Sequence, residues 1–563
     1  MNSIARLRAM ATAQANFDPR SANSAYRLQG PNTKLNQSIV SVMGLLSLSV
    51  ITLLFAMLAY TWLPSMGVET LSEMLSAGHL FALIILAVGA IAYVKYLTVT
   101  ARHPSRYLLA YLMLLPWFTW FTRVSPTFGL NIPQSFALGF LMCIPVFFLV
   151  WKYTVPMLYQ VPGLRYYAIF WCIGLVNILF FDHPVRDVTA LADKQTMSVH
   201  DFTTVTLTLV SLFLTVYALY REHRNHLLKF LDQLTWVCAI SLSVYSALAV
   251  FGYPLRLFTV KVEGVLRMGL IFFHPNQFGM NLVFLMLFVL GMYFYQISQR
   301  PNGKLKHVLL GALILAFPAL LTTYSKNAIG SFVICGSLLT FLNFKQVPNK
   351  RTFLMVLCAL PVLAAGAIFA FEQFSGLDLI ERLLFRFEDS RSMDWRWNTW
   401  SYIFNDIDAS TVLFGHGFSA TAERMDQFSQ VLKAGSIMKV LQVHNDYLML
   451  LYDFGVVGLI VYAWLILTMI KKGLSVIKTA SGDLCRSLDV TLFSIILACL
   501  IFSATDNCYY MLETPFWILT MALWVLSDRL NDRQQNDRRR SGRDTPSSQE
   551  GLPQERIARA RLV

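Results

Sequence analysis

Long runs of apolar residues alternate with short polar connections from residue 38 to residue 527. Most of these runs are close to the roughly 20 residues that an α-helix needs to cross a bilayer. The pattern therefore predicts an all-α, polytopic membrane protein with about 14 transmembrane helices. The predicted spans are 38–63, 78–98, 106–122, 132–151, 165–181, 202–220, 233–251, 276–297, 306–322, 327–344, 352–371, 445–470, 487–505 and 508–527.

Lysine and arginine residues lie mainly in every second connection and in the two terminal segments. Short connections rich in Lys and Arg normally face the cytoplasm. Counting through the spans places all these basic segments on one side, so both termini are predicted to be cytoplasmic. One outer connection, 252–275, departs from the rule because it holds Arg256, Lys261 and Arg267 against Glu263 alone. Positive charge on the outer side suggests a bound anion.

The spans divide the chain into five predicted parts. A cytoplasmic segment precedes eleven helices, a large outer loop with short helices, three further helices and a basic tail. The tail lacks apolar periodicity and is predicted to be disordered. The boundaries of the five parts are 1–37, 38–371, 372–443, 444–527 and 528–563.

The composition agrees with a membrane protein: 56% of the 563 residues are apolar and 14% are charged. The net charge of +14 would suggest a nucleic-acid partner in a soluble protein. Here the positive charges follow the topology of the spans, so we expect no nucleic-acid partner. The eight cysteines lie in or beside apolar runs without a CxxC motif, which disfavours a disulfide framework or a zinc site.

Polar residues at the predicted outer ends of the spans are the candidates for chemistry, because membrane helices retain such groups mainly for function or pairing. Arg267 and Asn276 lie at the mouth of the eighth predicted span, and Ser325 and Lys326 lie between the ninth and tenth. Asn276 and Ser325 also suit a helix start or a turn. A lysine on the outer side favours a functional role, with lipid-phosphate contact as the alternative.

Two further polar clusters lie in or next to the large loop. Three tryptophans fall within residues 394–400, which is typical of a helix that lies on a membrane surface. Arg396 and Trp400 are neighbours on one face of that helix. His444 ends the loop and is followed by Asn445 and Tyr447. A neutral imidazole at this position can accept a proton near neutral pH.

All four clusters fall on the same predicted face. Cations at headgroup depth beside a base suit a lipid-linked diphosphate, since Arg and Lys bind phosphate oxygens. Neither an Asp-rich metal motif nor a P-loop accompanies them in the sequence. We therefore expect metal-independent chemistry with no cofactor and no ATP.

The run from His444 through Asn445, Tyr447 and Leu448 to Gly455 and Gly458 resembles the signature of the O-antigen ligase and polysaccharide polymerase superfamily. Further matches cover roughly residues 264–470. They are Asn276, Ser325, Arg396 with Trp400, and the run Leu413-Phe414-Gly415-x-Gly417. The resemblance implies a GT-C-like glycosyltransferase of the bacterial inner membrane. Such an enzyme transfers a glycan from undecaprenyl diphosphate on the periplasmic face.

The resemblance also implies roles for individual residues. Arg396 and His444 are the catalytic residues that it implies. The residues expected to bind the diphosphate or the glycan are Lys326, Arg267, Asn276, Ser325, Trp400, Asn445 and Tyr447. Ligases of the superfamily more often have arginine after the serine, so Lys326 favours a polymerase of exopolysaccharide or O-antigen repeats.

The implied partners are the undecaprenyl-diphosphate-linked glycan, the lipid bilayer and other assembly proteins such as a flippase and a chain-length regulator. An O-antigen ligase that acts on lipid A-core is the alternative within the superfamily. A transporter or flippase is a second alternative, although transporters usually place polar groups near the bilayer midplane. A non-enzymatic scaffold is a third, and it leaves the one-sided cations unexplained.

Overall fold

The computed structural model describes residues 224–257, 259–262, 265–270, 274–299, 303–344, 379–388, 391–417, 443–479, 483–506 and 515–543, with isolated positions elsewhere. The predicted spans before residue 224 and the span 352–371 lie outside the described residues, apart from single positions. The count of about 14 spans therefore stays a prediction.

The described part of the chain is mainly helical. Its helices are α1 (Arg224–Gly252), α2 (Pro275–Gln299), α3 (Leu305–Thr322), α4 (Lys326–Asn343), α5 (Leu379–Glu388), α6 (Arg391–Phe404), α7 (Asp446–Thr479), α8 (Asp483–Ser503) and α9 (Phe516–Arg543). Two short strands, β1 (Thr259–Val262) and β2 (Val265–Met268), lie between α1 and α2.

Five segments of these helices are long and apolar enough to cross a membrane. They are Leu227–Gly252, Pro275–Ser298, Leu305–Thr322, Asp446–Leu474 and Leu484–Ser503. Each coincides with a span predicted from the sequence. The prediction of a helical protein embedded in a membrane is confirmed to this extent.

Small residues allow the helices to approach closely around α8, which packs against α2, α4, α7 and α9. A Cβ atom on Gly291 of α2 would overlap the side chain of Thr491 in α8. A Cβ atom on Gly279 would lie 2.7 Å from the Cβ of Ala328, so the first turns of α2 and α4 are also in contact. Close contact through small residues is how helices associate in lipid, where the hydrophobic effect does not drive them together.

The polar ends of several helices meet at one end of this bundle. We call this end, formed by Pro275, the turn Thr323–Lys326, His444–Asp446 and Ser503–Asp506, the site end. The Nε of Arg267 donates to the carbonyl oxygen of Thr323 at 2.8 Å. The Ser503 hydroxyl donates to a carboxylate oxygen of Asp446 at 2.7 Å. All four polar clusters predicted to share a face contribute residues to the site end or to the loop attached to it.

The mainly helical fold also contains the two strands, which were not predicted from the sequence. They form an antiparallel hairpin in which Val260 pairs with Arg267 and Lys261 pairs with Leu266. Valines and threonine in these two segments favour extended backbone, and the segments are too short for the helix-period analysis that defined the spans. The hairpin places Arg267, which was predicted in a plain connection, on a defined strand.

Helix α9 also departs from the predicted boundary. It continues past residue 528, where a disordered tail was predicted to begin, as far as Arg543. The helix starts in the buried segment that includes Phe516 and Trp517, so its costly first turns form by packing. The arginines and glutamines that follow have good helix propensity and extend it.

Candidate active site

His444 is held at the site end by a buried carboxylate. Its Nδ1 lies 2.9 Å from Oδ1 of Asp506, a residue that is completely buried just beyond the end of α8. The backbone of His444 has a φ of 53°, which is uncommon outside glycine. Asn445 then caps α7, because its Oδ1 accepts a hydrogen bond from the amide of Leu448 at 3.0 Å. The start of α7 is thereby fixed directly after the imidazole.

Several cationic or potentially cationic groups surround Asp506. Burial raises the pKa of the Asp506 carboxyl, but the charge and hydrogen bond of His444 lower it, together with the charges of His274 and Arg396. The net result is a pKa below the ordinary carboxyl value, so Asp506 is ionised at neutral pH. An ionised carboxylate only accepts hydrogen bonds, and His444 therefore carries its proton on Nδ1. The other ring nitrogen, Nε2, remains as a proton acceptor.

Aromatic rings fix the orientation of the His444 imidazole. Trp395 of α6 meets it edge to face, with 5.7 Å between the ring centroids. The ring of His274, which precedes α2, lies 6.3 Å away and nearly parallel, at an interplanar angle of 21°. The indole Nε1 of Trp400 donates to the carbonyl oxygen of Val443 at 2.9 Å. Helix α6 thus positions both the imidazole and the backbone directly before it.

We expect Trp400→Phe to lower about fivefold the rate of the glycan transfer that the sequence resemblance implies. The change keeps an aromatic ring but removes a hydrogen bond worth about 1 kcal/mol that holds the backbone at Val443. Asn398→Ala is the control, because Asn398 lies on the same helix with an exposed side chain. Initial rates with purified protein and lipid-linked glycan would check this. Equal losses in the two variants, or none in Trp400→Phe, would argue against this positioning role.

Arg267 and Asn276 contact each other in a second part of the site end. The Nη2 of Arg267 donates to Oδ1 of Asn276 at 2.8 Å, while its Nε donates to the Thr323 carbonyl oxygen. The arginine is buried and joins β2, the start of α2 and the turn between α3 and α4. Both residues were predicted to bind substrate, and the structure shows them bracing the segments that carry His274 and Lys326.

Ser325 and Lys326 begin α4. The backbone of Ser325 is extended, and its hydroxyl accepts a hydrogen bond from the amide of Ala328 at 3.4 Å, as an N-cap residue does. Lys326 is the first residue of the helix and is partly buried. Because Gly279 packs on Ala328, the lysine begins a helix whose first turn is beside that of α2.

Tyr447 also makes a structural contact. Its hydroxyl donates to the carbonyl oxygen of Leu500 at 3.1 Å and so joins α7 to α8. Of the residues predicted to bind substrate, Ser325, Trp400, Asn445 and Tyr447 each have a positioning contact in the structure. Their contact with a substrate stays a prediction.

A break in α7 fixes the large loop to the bundle. Gly455 has a φ of 66° and a ψ of −170°, which interrupts the helix. We call residues 411–417 and 452–457, which pair at this break, the loop lock. Four backbone hydrogen bonds join them: His416 N to Tyr452 O (2.8 Å), Gly417 N to Asp453 O (2.9 Å), Val456 N to Val412 O (2.8 Å) and Val457 N to Leu413 O (3.2 Å).

Side chains reinforce the loop lock. The Asp453 carboxylate is buried and accepts a hydrogen bond from the backbone amide of Thr421 at 2.8 Å. The Tyr452 hydroxyl donates to Oδ2 of Asp406 at 2.6 Å, and Arg424 pairs with the other oxygen of Asp406 at 2.7 Å. These contacts fix the described part of the loop against α7, and this part includes Trp395, which contacts His444, and the adjoining Arg396.

Asp506 was not identified from the sequence, and His274 and Trp395 were not assigned to the site. A signal for Asp506 was present, because the span count places the residue between the last two predicted spans, on the same face as His444. His274 directly precedes Pro275 at the mouth of the eighth span. Partnership between residues so far apart in the chain becomes visible only once the helices are packed.

The fold and the site together define a helical membrane protein with a histidine–aspartate pair and neighbouring cations at one end of its bundle. Residues 311–463 match the family model described as O-antigen ligase, which confirms the resemblance predicted from the motifs. This segment is therefore similar to a family of glycan-transferring enzymes. The matched range includes Lys326, Arg396 and His444, whereas Arg267 and Asp506 lie outside it. No curated protein sequence matches the chain.

Proposed function

We propose that the protein is an inner-membrane glycosyltransferase that polymerises undecaprenyl-diphosphate-linked oligosaccharide repeats on the periplasmic face. The observation that carries the proposal is the His444–Asp506 pair at 2.9 Å, with the charges of Arg396 and His274 beside it. A base oriented by a buried carboxylate is the arrangement that activates a hydroxyl group for attack. The match to the O-antigen ligase family supports glycan transfer as the reaction.

His444 supplies the base in this proposal. Asp506 holds the Nδ1–H, so Nε2 takes the proton of the acceptor hydroxyl as its oxygen bonds to the anomeric carbon. The bond between that carbon and the phosphate oxygen breaks, and the diphosphate leaves with the electron pair. Attack from the side opposite the leaving group inverts the anomeric centre. The buried carboxylate stabilises the imidazolium that the proton transfer creates.

Cationic side chains stabilise the leaving diphosphate in this proposal. Arg396 is the nearest candidate, because its charge acts on Asp506 and it follows Trp395, which contacts His444. Lys326 supplies a second charge from the start of α4. Preorganised positive charge at a developing anion is usually a large part of catalysis. The step as proposed takes this charge from side chains and uses no metal ion.

The test uses His444→Ala and Arg396→Ala in cells that lack the native protein. We expect both variants to lose long polymer, because one removes the base and the other a charge that stabilises the leaving group. Arg351→Ala is the control, since Arg351 is exposed and outside the site end. Polymer of normal length and yield from either site variant, expressed at the normal level, would overturn the assignment.

Ligase activity on lipid A-core is the second candidate, and the description of the matched family favours it. The two activities differ in what accumulates when the protein is lost. Loss of a polymerase leaves single repeat units, whereas loss of a ligase leaves polymer on its lipid carrier. Purified protein that consumes lipid-linked repeats in detergent would exclude a role limited to transport.

A further inference from the structure

Helix α6 carries a stripe of exposed apolar side chains. Met393, Trp397 and Phe404 are 49%, 64% and 62% exposed. Their spacing of four and seven residues places them on one face of the helix. The opposite side of α6 is occupied, because Thr399 and Ile403 are completely buried against the loop. The exposed stripe is therefore a distinct face, and three large apolar side chains on it need a partner.

The position of Trp400 shows where α6 lies in the protein. Trp400 is next to Trp397 and Phe404 on the helix surface, since residues three and four apart are neighbours. Its indole donates to the carbonyl oxygen of Val443, shortly before α7 begins its apolar segment at Asp446. Helix α6 is thus held at the start of a membrane helix, with Trp400 at the border between the exposed stripe and the buried side that also packs on Val443.

The loop lock supplies a second attachment at the membrane boundary. The apolar segment of α7 has 29 residues, whereas roughly 20 are enough to cross the hydrocarbon core. The part that follows the break at Gly455 is long enough to cross alone, so the break lies near the membrane surface. The carbonyl oxygen of Leu413 accepts a hydrogen bond from the Val457 amide beside this break, and Phe414 follows it in the chain. Their side chains are 53% and 48% exposed.

From these observations we infer that α6 and the segment Leu413–Phe414 rest on the lipid bilayer at the site end. Met393, Trp397 and Phe404 enter the boundary between headgroups and acyl chains. Tryptophan and phenylalanine are the side chains that favour this depth. The partner of this surface is lipid. Two separate contacts, the Trp400–Val443 hydrogen bond and the loop lock, hold the surface at the outer ends of membrane helices.

The surface has a consequence for the donor, and this consequence rests on the proposed function. Arg396 lies between Trp395, which contacts His444, and Trp397 in the stripe. An arginine next to a lipid-facing tryptophan is at the depth of lipid phosphates. A diphosphate whose polyprenyl chain stays in the bilayer therefore reaches Arg396 without leaving the membrane.

The test places a nitroxide label at Trp397→Cys or Asn398→Cys in a full-length protein whose eight native cysteines are replaced. Asn398 is the matched control, because it is exposed on the same helix but outside the stripe. The proteins are reconstituted in vesicles of phosphatidylethanolamine and phosphatidylglycerol. Collisions of each label with oxygen, which concentrates in lipid, are compared with those of a water-soluble nickel complex.

We expect the label at 397 to be shielded from the nickel complex and open to oxygen, and the label at 398 to be open to the complex. Phe404→Cys gives a second stripe position should Trp397→Cys fold poorly, and the same result is expected there. A label at 397 that meets the nickel complex as freely as the label at 398 overturns the inference. Shielding from both reagents overturns it in favour of contact with protein. The measurement needs no glycan, so it can fail while the proposed function stands.

Discussion

Asp506→Asn should lower the rate of glycan transfer by roughly 10²-fold or more, the range expected when general base catalysis is lost. The asparagine keeps the size of the side chain but removes the charge that stabilises the imidazolium of His444 after it takes a proton. An amide can also offer its NH₂ group to Nδ1, which would place the His444 proton on the wrong nitrogen. Single-turnover transfer with purified protein would measure the loss.

A double substitution separates this role from a structural one. Because Asp506 acts through His444, Asp506→Asn should lower the residual transfer rate of His444→Ala only slightly, whereas the effects of independent sites add. A variant that is merely less stable would lower the rate further on the His444→Ala background.

Folding must be checked in the same experiment, because the pair also stabilises the protein. The pKa of Asp506 is lower in the folded protein than its ordinary value. The resulting stabilisation is present at pH values above the unfolded pKa and is lost as the pH falls through the folded pKa. Asp489→Asn is the control, since Asp489 is also buried on α8 and accepts a hydrogen bond from Ser527. Wild-type transfer by Asp506→Asn would contradict the assigned role.

The helices themselves could be predicted closely from the sequence. The predicted span 276–297 corresponds to the helix Pro275–Gln299, and the span 306–322 corresponds to the helix Leu305–Thr322. The thickness of the bilayer sets the length of each apolar run, so each span can be recognised from its own segment of the sequence. Counting such segments also placed His444, Arg396 and Lys326 on one face. In the structure the charge of Arg396 acts on Asp506, the partner of His444, and Lys326 begins α4 at the same end of the bundle.

Side-chain partners could not be predicted in this way. Ser325 had two interpretations in the sequence, because the same oxygen atom can cap a helix or bind a ligand. The structure shows Ser325 as a cap, and it also shows Asn445, which was predicted only to bind substrate, as a cap. Asp506, at the end of a predicted span, was not identified as a site residue, because its pairing with His444 depends on how α7 and α8 pack. The hairpin at Arg267 was missed because its strands have only four residues each.

Gly455→Ala should release the large loop from the bundle and abolish most glycan transfer. A Cβ atom at this position would overlap the carbonyl group of Leu413, and the φ of 66° with ψ of −170° is essentially restricted to glycine. The backbone conformation alone costs roughly 1–3 kcal/mol for another residue. The chain must then move, and the hydrogen bonds of the loop lock are lost. Transfer rate and protease cleavage within residues 391–417 are the measurements.

A double-substitution cycle with Gly415→Ala makes the prediction specific to the loop lock. Gly415 faces the break from the other side, with a φ of 77°, and its Cβ would overlap the backbone of Asp453. Because both changes disrupt one contact, their effects on transfer should not add, whereas effects at independent sites do. Gly330→Ala is the control, since nothing lies near that Cβ in α4. Full transfer and an intact loop in Gly455→Ala would show that the loop holds Arg396 near His444 without this lock.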